Sequence, residues 1–318
     1  MSAESDNKSN IGNSTHGSKT MVHIPVLLHE SIEYLNIRPD GAYADGTLGA
    51  AGHTALIAEQ LGKTGTLIAT DLDQRSIDHA QSILFDMAPK IHLIHDSFTT
   101  LPQVARDMGL LGYDGVLLDL GWNSDQFADP TRGFSFQVDG PLDMRFDTDD
   151  EQSLTAANIV NTWPAEDLLY ILRTYSDERW ARKIVDKILE ERSEKNIVST
   201  FHLVDIIRSV VPKRFQHQGI HPATKTFQAL RIAVNHELEA VETVVPDLAA
   251  TLNPGGRLCI ITFHSGEDRI VKHAYKGLEQ SGLFKIIEKK GITASETELE
   301  HNPRSRSARL RILEKILS

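Results

Sequence analysis

The segment Asp45-Gly-Thr-Leu-Gly-Ala-Ala-Gly-His53 joins an acid to glycines at positions 46, 49 and 52. Glycines spaced in this way let a backbone turn tightly and approach a ligand without Cβ clashes. Asp71 stands 19 residues beyond Gly52 at the end of an apolar run, where a carboxylate can take both ribose hydroxyls of an adenosine. The spacing is not the G-x-G-x-x-G fingerprint of dinucleotide enzymes, and no Gly-Lys-Ser/Thr closes a phosphate loop. Asp45 would repel a pyrophosphate but suits a cation, such as the α-amino group or sulfonium of S-adenosylmethionine. Asp119 ends a later apolar run, and Phe98 is placed to stack on adenine or to fill the core.

These residues need strands to carry them. Ala42–Asp45, Thr66–Asp71, Ile91–Ile94 and Tyr113–Leu118 read as apolar strands, with helical segments at 53–61 and 76–87 between them. Such alternation predicts an α/β fold: a mostly parallel sheet with helices on both faces, its ligands at the carboxyl ends of the strands. Phe227, Leu230, Val234, Leu238 and Val241 keep one helical spacing. Pro254-Gly-Gly then turns into a strand at 257–263, and 284–288 with 310–315 make a closing pair. Residues 126–219 lose the strand pattern. They show helical faces at 164–175, at Trp180, Ile184, Ile188 and Leu189, and at Leu203–Val210, the last stopped by Pro212. The expected organisation is a disordered tail at 1–20, a core formed by 21–125 and 220–318, and a helical insertion domain at 126–219.

The 318 residues carry a net charge of −11, which weighs against a general nucleic-acid binder. Charge is uneven. Residues 301–318 hold Arg304, Arg306, Arg309, Arg311 and Lys315 against Glu314 alone, while residues 139–151 hold six acids against Arg145. A local basic patch on an acidic body can still dock a phosphate backbone. The single cysteine, Cys259, lies in an apolar run. It excludes an internal disulfide and fits a reducing, cytoplasmic compartment. No apolar run approaches the roughly 20 residues that span a bilayer. His217 and His221 lie four apart in a Gly/Pro loop rather than on a helix, so no metal is expected there. His264-Ser265 lacks a Gly-x-Ser-x-Gly turn, which argues against a hydrolase nucleophile and for hydrogen bonding to substrate or insertion.

Further segments match a known pattern in order: His23-Ile-Pro-Val-Leu-Leu28, Asp45–His53, Leu117-Leu-Asp-Leu-Gly121, Arg132-Gly-Phe-Ser-Phe136 and Asp139-Gly-Pro-Leu-Asp-Met-Arg145. After them come His221-Pro-Ala-Thr224, Thr226-Phe-Gln-Ala-Leu-Arg-Ile232, Phe263-His-Ser265, Glu267-Asp-Arg269 and Asn302-Pro-Arg-Ser-Arg-Ser307. In these the chain resembles the bacterial 16S rRNA (cytosine-N4)-methyltransferase family over residues 22–312. The resemblance implies a class I methyltransferase (Rossmann-like) fold, S-adenosyl-L-methionine as cofactor and a target cytosine in the decoding centre of 16S rRNA. It also implies the small ribosomal subunit as partner, and allows a homodimer.

Carried over by position, Ala51, Gly52, His53, Asp71, Phe98, Asp119 and Gln126 would contact the cofactor, with Asp45 and Gly49 joining from the loop reading. The family usually has Gly at position 51 and Val-Ser where Trp122-Asn123 stand. Methylating an exocyclic amine calls for an acceptor for N4–H and a linear approach to the methyl group. Asp119 or Asn123 is the expected acceptor, and Trp122 either stacks on the flipped base or packs against the insertion. Lys225, Gln228 and Arg231, on a polar helix face with Asn235, and Arg304 with Arg306 are the candidate RNA contacts. A dinucleotide oxidoreductase, a ribosome-associated binder without turnover and a methylase of another RNA site are the rival readings.

Overall fold

A computed structural model describes residues 24–121, 127, 129–148, 153–216 and 219–316. After helix α1 (Leu28–Leu35), β1 (Ala42–Asp45), α2 (Gly52–Gln60), β2 (Thr66–Asp71), α3 (Gln74–Leu84), β3 (Lys90–His95), α4 (Leu101–Asp107) and β4 (Tyr113–Asp119) alternate. The middle holds α5 (Ala156–Thr162), α6 (Ala165–Thr174), α7 (Ala181–Glu194), α8 (Thr200–Val210) and the short α9 (Lys213–Gln216). Then come α10 (Thr224–Asn235), α11 (Glu237–Ala250), β5 (Leu252–Thr262), α12 (Ser265–Gln280), β6 (Phe284–Ile292), α13 (Glu296–His301) and β7 (Arg309–Lys315).

The strands form one sheet in the order β3-β2-β1-β4-β5-β7-β6. Neighbours from β3 to β5 pair in parallel, whereas β7 runs antiparallel to both β5 and β6. This is the mostly parallel, doubly covered α/β sheet of class I methyltransferases. Its central strands β2, β4 and the second half of β5 read as largely apolar runs because successive side chains feed opposite cores. Leu67, Ala69, Leu117, Cys259, Ile261, Leu310 and Ile312 face α1, α2 and α3. Ile68, Val116, Leu118, Leu258, Ile260 and Leu313 face α4, α11 and α12. Cys259 is fully buried in the first of these cores.

A third core lies outside the sheet and gathers Ile159, Leu168, Ile184, Ile188, Leu203 and Ile207 from α5 to α8. It also takes Ala223, Phe227, Leu230 and Val234, so α10 packs with the middle helices and the change of packing does not fall at residue 219.

Two sequence expectations fail locally. The helical spacing from Phe227 to Val241 is not one helix, because His236 adopts φ 51° and ψ 35° and separates α10 from α11. Pro254-Gly-Gly is not a turn ahead of a strand. β5 starts at Leu252 and bulges there against Tyr113–Gly115. In the first case side-chain spacing continues across a backbone break that tertiary packing imposes; in the second, strand pairing runs through residues whose types favour a turn.

Candidate active site

The glycine loop is held by backbone bonds to both neighbouring strands. Gly46 N–H donates to Leu117 O at 2.9 Å and Leu48 N–H to Thr70 O at 3.0 Å. Gly49, at φ 49°, directs its N–H to Asp71 Oδ2 at 2.7 Å, and Asp73 N–H donates to Asp71 Oδ1 at 2.8 Å. A Cβ on Gly52 would sit 2.2 Å from Pro25 Cγ, so the loop can close against the segment before α1 only with glycine there. Ala51 holds φ 63°, a left-handed conformation that costs an alanine about 1–2 kcal/mol.

A crevice opens over this loop, lined by Gly49, Gly52, His53, Asp71, Phe98 and Asp119 among others. Asp45 and Ala51 stand behind the lining. Asp45 is buried and accepts from Thr54 Oγ1 at 2.6 Å and from Thr47 N–H at 3.1 Å, so it braces the loop from beneath instead of facing a ligand. Phe98 lines the crevice and also packs against the core, so the two alternatives for it are not exclusive. Trp122, Asn123 and Gln126 lie outside the described residues.

Acids dominate the crevice. Burial pushes the Asp71 carboxyl up to about 6, against the pull of the Gly49 and Asp73 N–H groups. Asp119 is raised well above the ordinary carboxylate range by burial, with Asp45 and Glu267 adding to the effect and Arg304 opposing it. Its Oδ2 lies 3.9 Å from His53 Nδ1, while His53 Nε2 is 3.2 Å from Val26 O. Its buried Oδ1 has no hydrogen-bond partner among the described residues. A desolvated carboxylate oxygen without a partner costs stability unless a ligand satisfies it. The site therefore fits a ligand bearing positive charge and N–H or O–H donors, and S-adenosylmethionine carries all of these.

A second cavity, of about 650 Å³, adjoins the first through Leu120, Gly121, Phe263 and Arg304. Phe127, Phe134, Phe136 and Phe227 line it. Phe136 stacks on His221 with ring centroids 4.5 Å apart and planes 4° apart, and meets Phe227 edge-on at 5.7 Å. Flat apolar walls of this kind suit a planar aromatic ligand such as a nucleobase.

Two acid–base pairs divide the cavities, each with its acid toward the crevice and its base toward the aromatic side. Arg231 makes a two-point pair with Glu237, 2.8 Å at each contact. His264 Nε2 lies 3.1 Å from Glu267 Oε1, and its Nδ1 accepts from Gly266 N–H at 3.2 Å. Burial disfavours the charge on both acids. Arg231 only partly offsets this at Glu237, which stays raised, whereas the adjacent His264 imidazole and the Phe263 N–H hold Glu267 below its ordinary range.

The sequence does not single out Glu237 and marks Glu267 only as part of the Glu267-Asp-Arg269 segment. Glu267 did carry a signal, because it sits three residues after the N-cap of α12 and closes a reciprocal cap with His264. Glu237 carried none, since its role follows from the break at His236.

The candidate RNA contacts divide. Arg231 is 8% exposed and fully engaged by Glu237, and Asn235 bonds Met144 O and Phe146 N–H, so half of that helix face points into the protein. Lys225 Nζ donates to Asp177 O at 2.8 Å, and Gln228 Nε2 reaches Tyr175 O at 3.4 Å. Arg304 lines both cavities, and Arg306 is exposed. The rest of the terminal basic run is structural: Arg311, 6% exposed, grips Asp268 at 2.7 and 2.9 Å from within β7.

The model of the MraW methylase family matches residues 20–316. The chain is 43% identical to a ribosomal RNA small subunit methyltransferase H of Clostridioides difficile, over 92% of this chain and 99% of that one. A relative of the same name from Brevibacillus brevis is 41% identical over 92% of this chain and 98% of its own length. Among solved structures, an rRNA methylase from Streptococcus thermophilus superposes with a TM-score of 0.43 at 14% identity, covering 93% of this chain and 99% of that one.

Proposed function

The chain belongs to the MraW methylase family, and from that premise we propose that it transfers the methyl group of S-adenosylmethionine to the N4 amine of a cytosine in the decoding centre of small-subunit 16S rRNA. It is an rRNA (cytosine-N4)-methyltransferase. The observation that carries this reading is the junction of the two cavities: a crevice rich in buried carboxylates opens into an aromatic one beside Asp119, whose Oδ1 lacks a partner among the described residues.

When bound, S-adenosylmethionine supplies an electrophilic methyl group on a sulfonium. Asp71 holds the ribose hydroxyls, its two oxygens already aligned by Gly49 and Asp73 N–H. Gly49, Gly52 and His53 let the ligand approach the loop, and Phe98 covers the adenine. Asp119 accepts a hydrogen bond from cytosine N4–H, which turns the nitrogen lone pair toward the methyl group and raises electron density on a poor nucleophile. The amine needs no strong base beforehand, because the methylated ammonium is acidic and can pass its proton to Asp119. Phe136 and Phe227 wall the flipped base. Lys225, Gln228, Arg304 and Arg306 are the proposed backbone contacts.

The substrate is the assembled small subunit rather than naked rRNA. An acidic chain gains little from general attraction to RNA, and docking to a shaped particle supplements its local cations. Among the described residues no helix is long and apolar enough to cross a membrane, and the proposed location is the cytoplasm, where the substrate resides. Mass mapping of small-subunit rRNA from a strain lacking this chain should show one N4-methylcytosine lost and restored on complementation. Persistence of every such base in that strain would overturn the assignment.

A further inference from the structure

The middle helices carry a feature that the reaction chemistry does not use. Trp180, at the start of α7, and Phe215, in α9, lie with ring centroids 5.6 Å apart at a tilt of 50°. Three cations surround them. The Arg179 guanidinium stands 5.2 Å from the Trp180 ring centroid and 5.1 Å from that of Phe215, Lys183 Nζ 5.4 Å from Trp180, and the Arg214 guanidinium 4.9 Å from Phe215. All three cations are exposed, while both rings are half-buried. Among the described residues none of the three appears in an ion pair with an acid. Glu178 alongside is buried, with its carboxylate accepting from Trp180 N–H at 2.8 Å. Asp177 and Asp186 are the exposed acids nearest in sequence.

This cluster is tied to one wall of the aromatic cavity. Lys225 holds the carbonyl of Asp177 and Gln228 that of Tyr175, so the turn before Trp180 is fastened to α10, the helix that also supplies Thr224, Phe227 and Gln228 to the cavity wall. His221, which follows α9 in the chain, stacks on Phe136 of that wall, and burial, with Arg208 adding to it, holds the His221 imidazole below its ordinary range.

We propose that the cations around Trp180 and Phe215 form a docking site for an unpaired stretch of the substrate rRNA, its phosphates on Arg179, Lys183 and Arg214, leading to the base pocket. The proposal rests on the reading of the chain as an rRNA methylase. Charge complementarity selects the partner: three exposed cations held by aromatic rings on a chain of net charge −11 match a polyanion of stacked rings. Guanidiniums lying over aromatic faces keep their N–H edges directed outward, where phosphate oxygens can take them.

The test replaces Arg179, Lys183 and Arg214 together with Gln and compares the enzyme with a control in which exposed Lys63, Arg106 and Lys285 become Gln. The docking variant should raise KM for small subunits at least about tenfold at low salt while kcat, cofactor affinity and Tm stay as in the control. The slope of log affinity for protein-free small-subunit rRNA against log salt should flatten by about 2, as expected from three lost phosphate contacts. An equal response in both variants would overturn the proposal. So would a weaker affinity for subunits with unchanged affinity for protein-free rRNA, which would point to a ribosomal protein as the partner. Failure of the parent reading looks different: the unsubstituted chain would then methylate neither subunits nor rRNA.

Discussion

The crevice and the aromatic cavity share one rim of the sheet yet are built by opposite means. The crevice draws mainly on residues 46–121, at strand ends and the segments that follow them, with Glu237, Glu267 and Arg304 joining from later in the chain, and its glycine loop is fixed by backbone bonds such as Gly49 N–H to Asp71. The cavity draws on residues from 120 to 307, and its shape depends on rings packed edge to face and on the Arg231–Glu237 and His264–Glu267 pairs. Backbone-defined sites tolerate little variation in position but some in sequence. Side-chain-defined sites are the reverse, so cofactor use should be robust and substrate choice adjustable.

Replacing Asp119 should break the comparison most severely, because in the proposed reaction this crevice residue also meets the target base. Asp119→Ala should lower the rate of methyl transfer at least about 100-fold, the scale of losing an acceptor aimed at the reacting group, as read by single turnover with labelled cofactor. The same change should raise Tm, since it removes a buried carboxylate oxygen that has no partner among the described residues. A fall in both would show the residue to be structural.

Asp71→Ala should separate the two regions. Cofactor affinity by calorimetry should fall about 10- to 100-fold, equivalent to about one charge-assisted hydrogen bond, with RNA affinity unchanged. Phe136→Ala is the converse case. It should reduce kcat/KM for subunits about 5- to 100-fold through lost stacking on the base and on His221, with cofactor affinity intact.

A pH titration sharpens the contrast. The free Asp71 carboxyl titrates at about 6, above its unfolded value, because burial disfavours its charge. Its protonated form therefore stabilises the free fold at low pH, and that contribution is lost as pH rises through about 6. Cofactor binding needs the ionised form, so affinity should drop up to about tenfold per unit as pH falls below 6. A flat profile between pH 5 and 8 would remove Asp71 from the binding role.

Ala51→Gly should have the smallest effect. Relief of the left-handed strain is offset by loss of a methyl group that is 1% exposed, so chemical denaturation should show a change within about 1 kcal/mol.

Much of the first region could be read from the chain alone. Asp71, Gly49 and Gly52 were legible because a glycine loop between two apolar strands has few folded outcomes, and the acid at the next strand end then follows. Asp45 was legible as a loop residue, but its orientation was not. The same carboxylate can line a crevice or cap the loop from below, and only the Thr54 hydroxyl decides. Arg231 and Arg311 looked like exposed cations because position on a helix or strand does not reveal a buried acid arriving from elsewhere. Phe136 belongs to the Arg132–Phe136 segment, yet nothing local in the chain indicates that it meets His221 and Phe227.

By itself the sequence determined the strand and helix alternation, the position of the glycine loop and the acids at two strand ends. These depend on hydrophobic period and backbone freedom, which are local properties. Tertiary structure alone decided the break at His236, the pairing of Glu237 with Arg231 and the joining of α10 to the middle helices. Each of these brings together groups whose meeting depends on how whole faces pack, and packing energy is summed over residues too far apart in the chain for any short window to contain them.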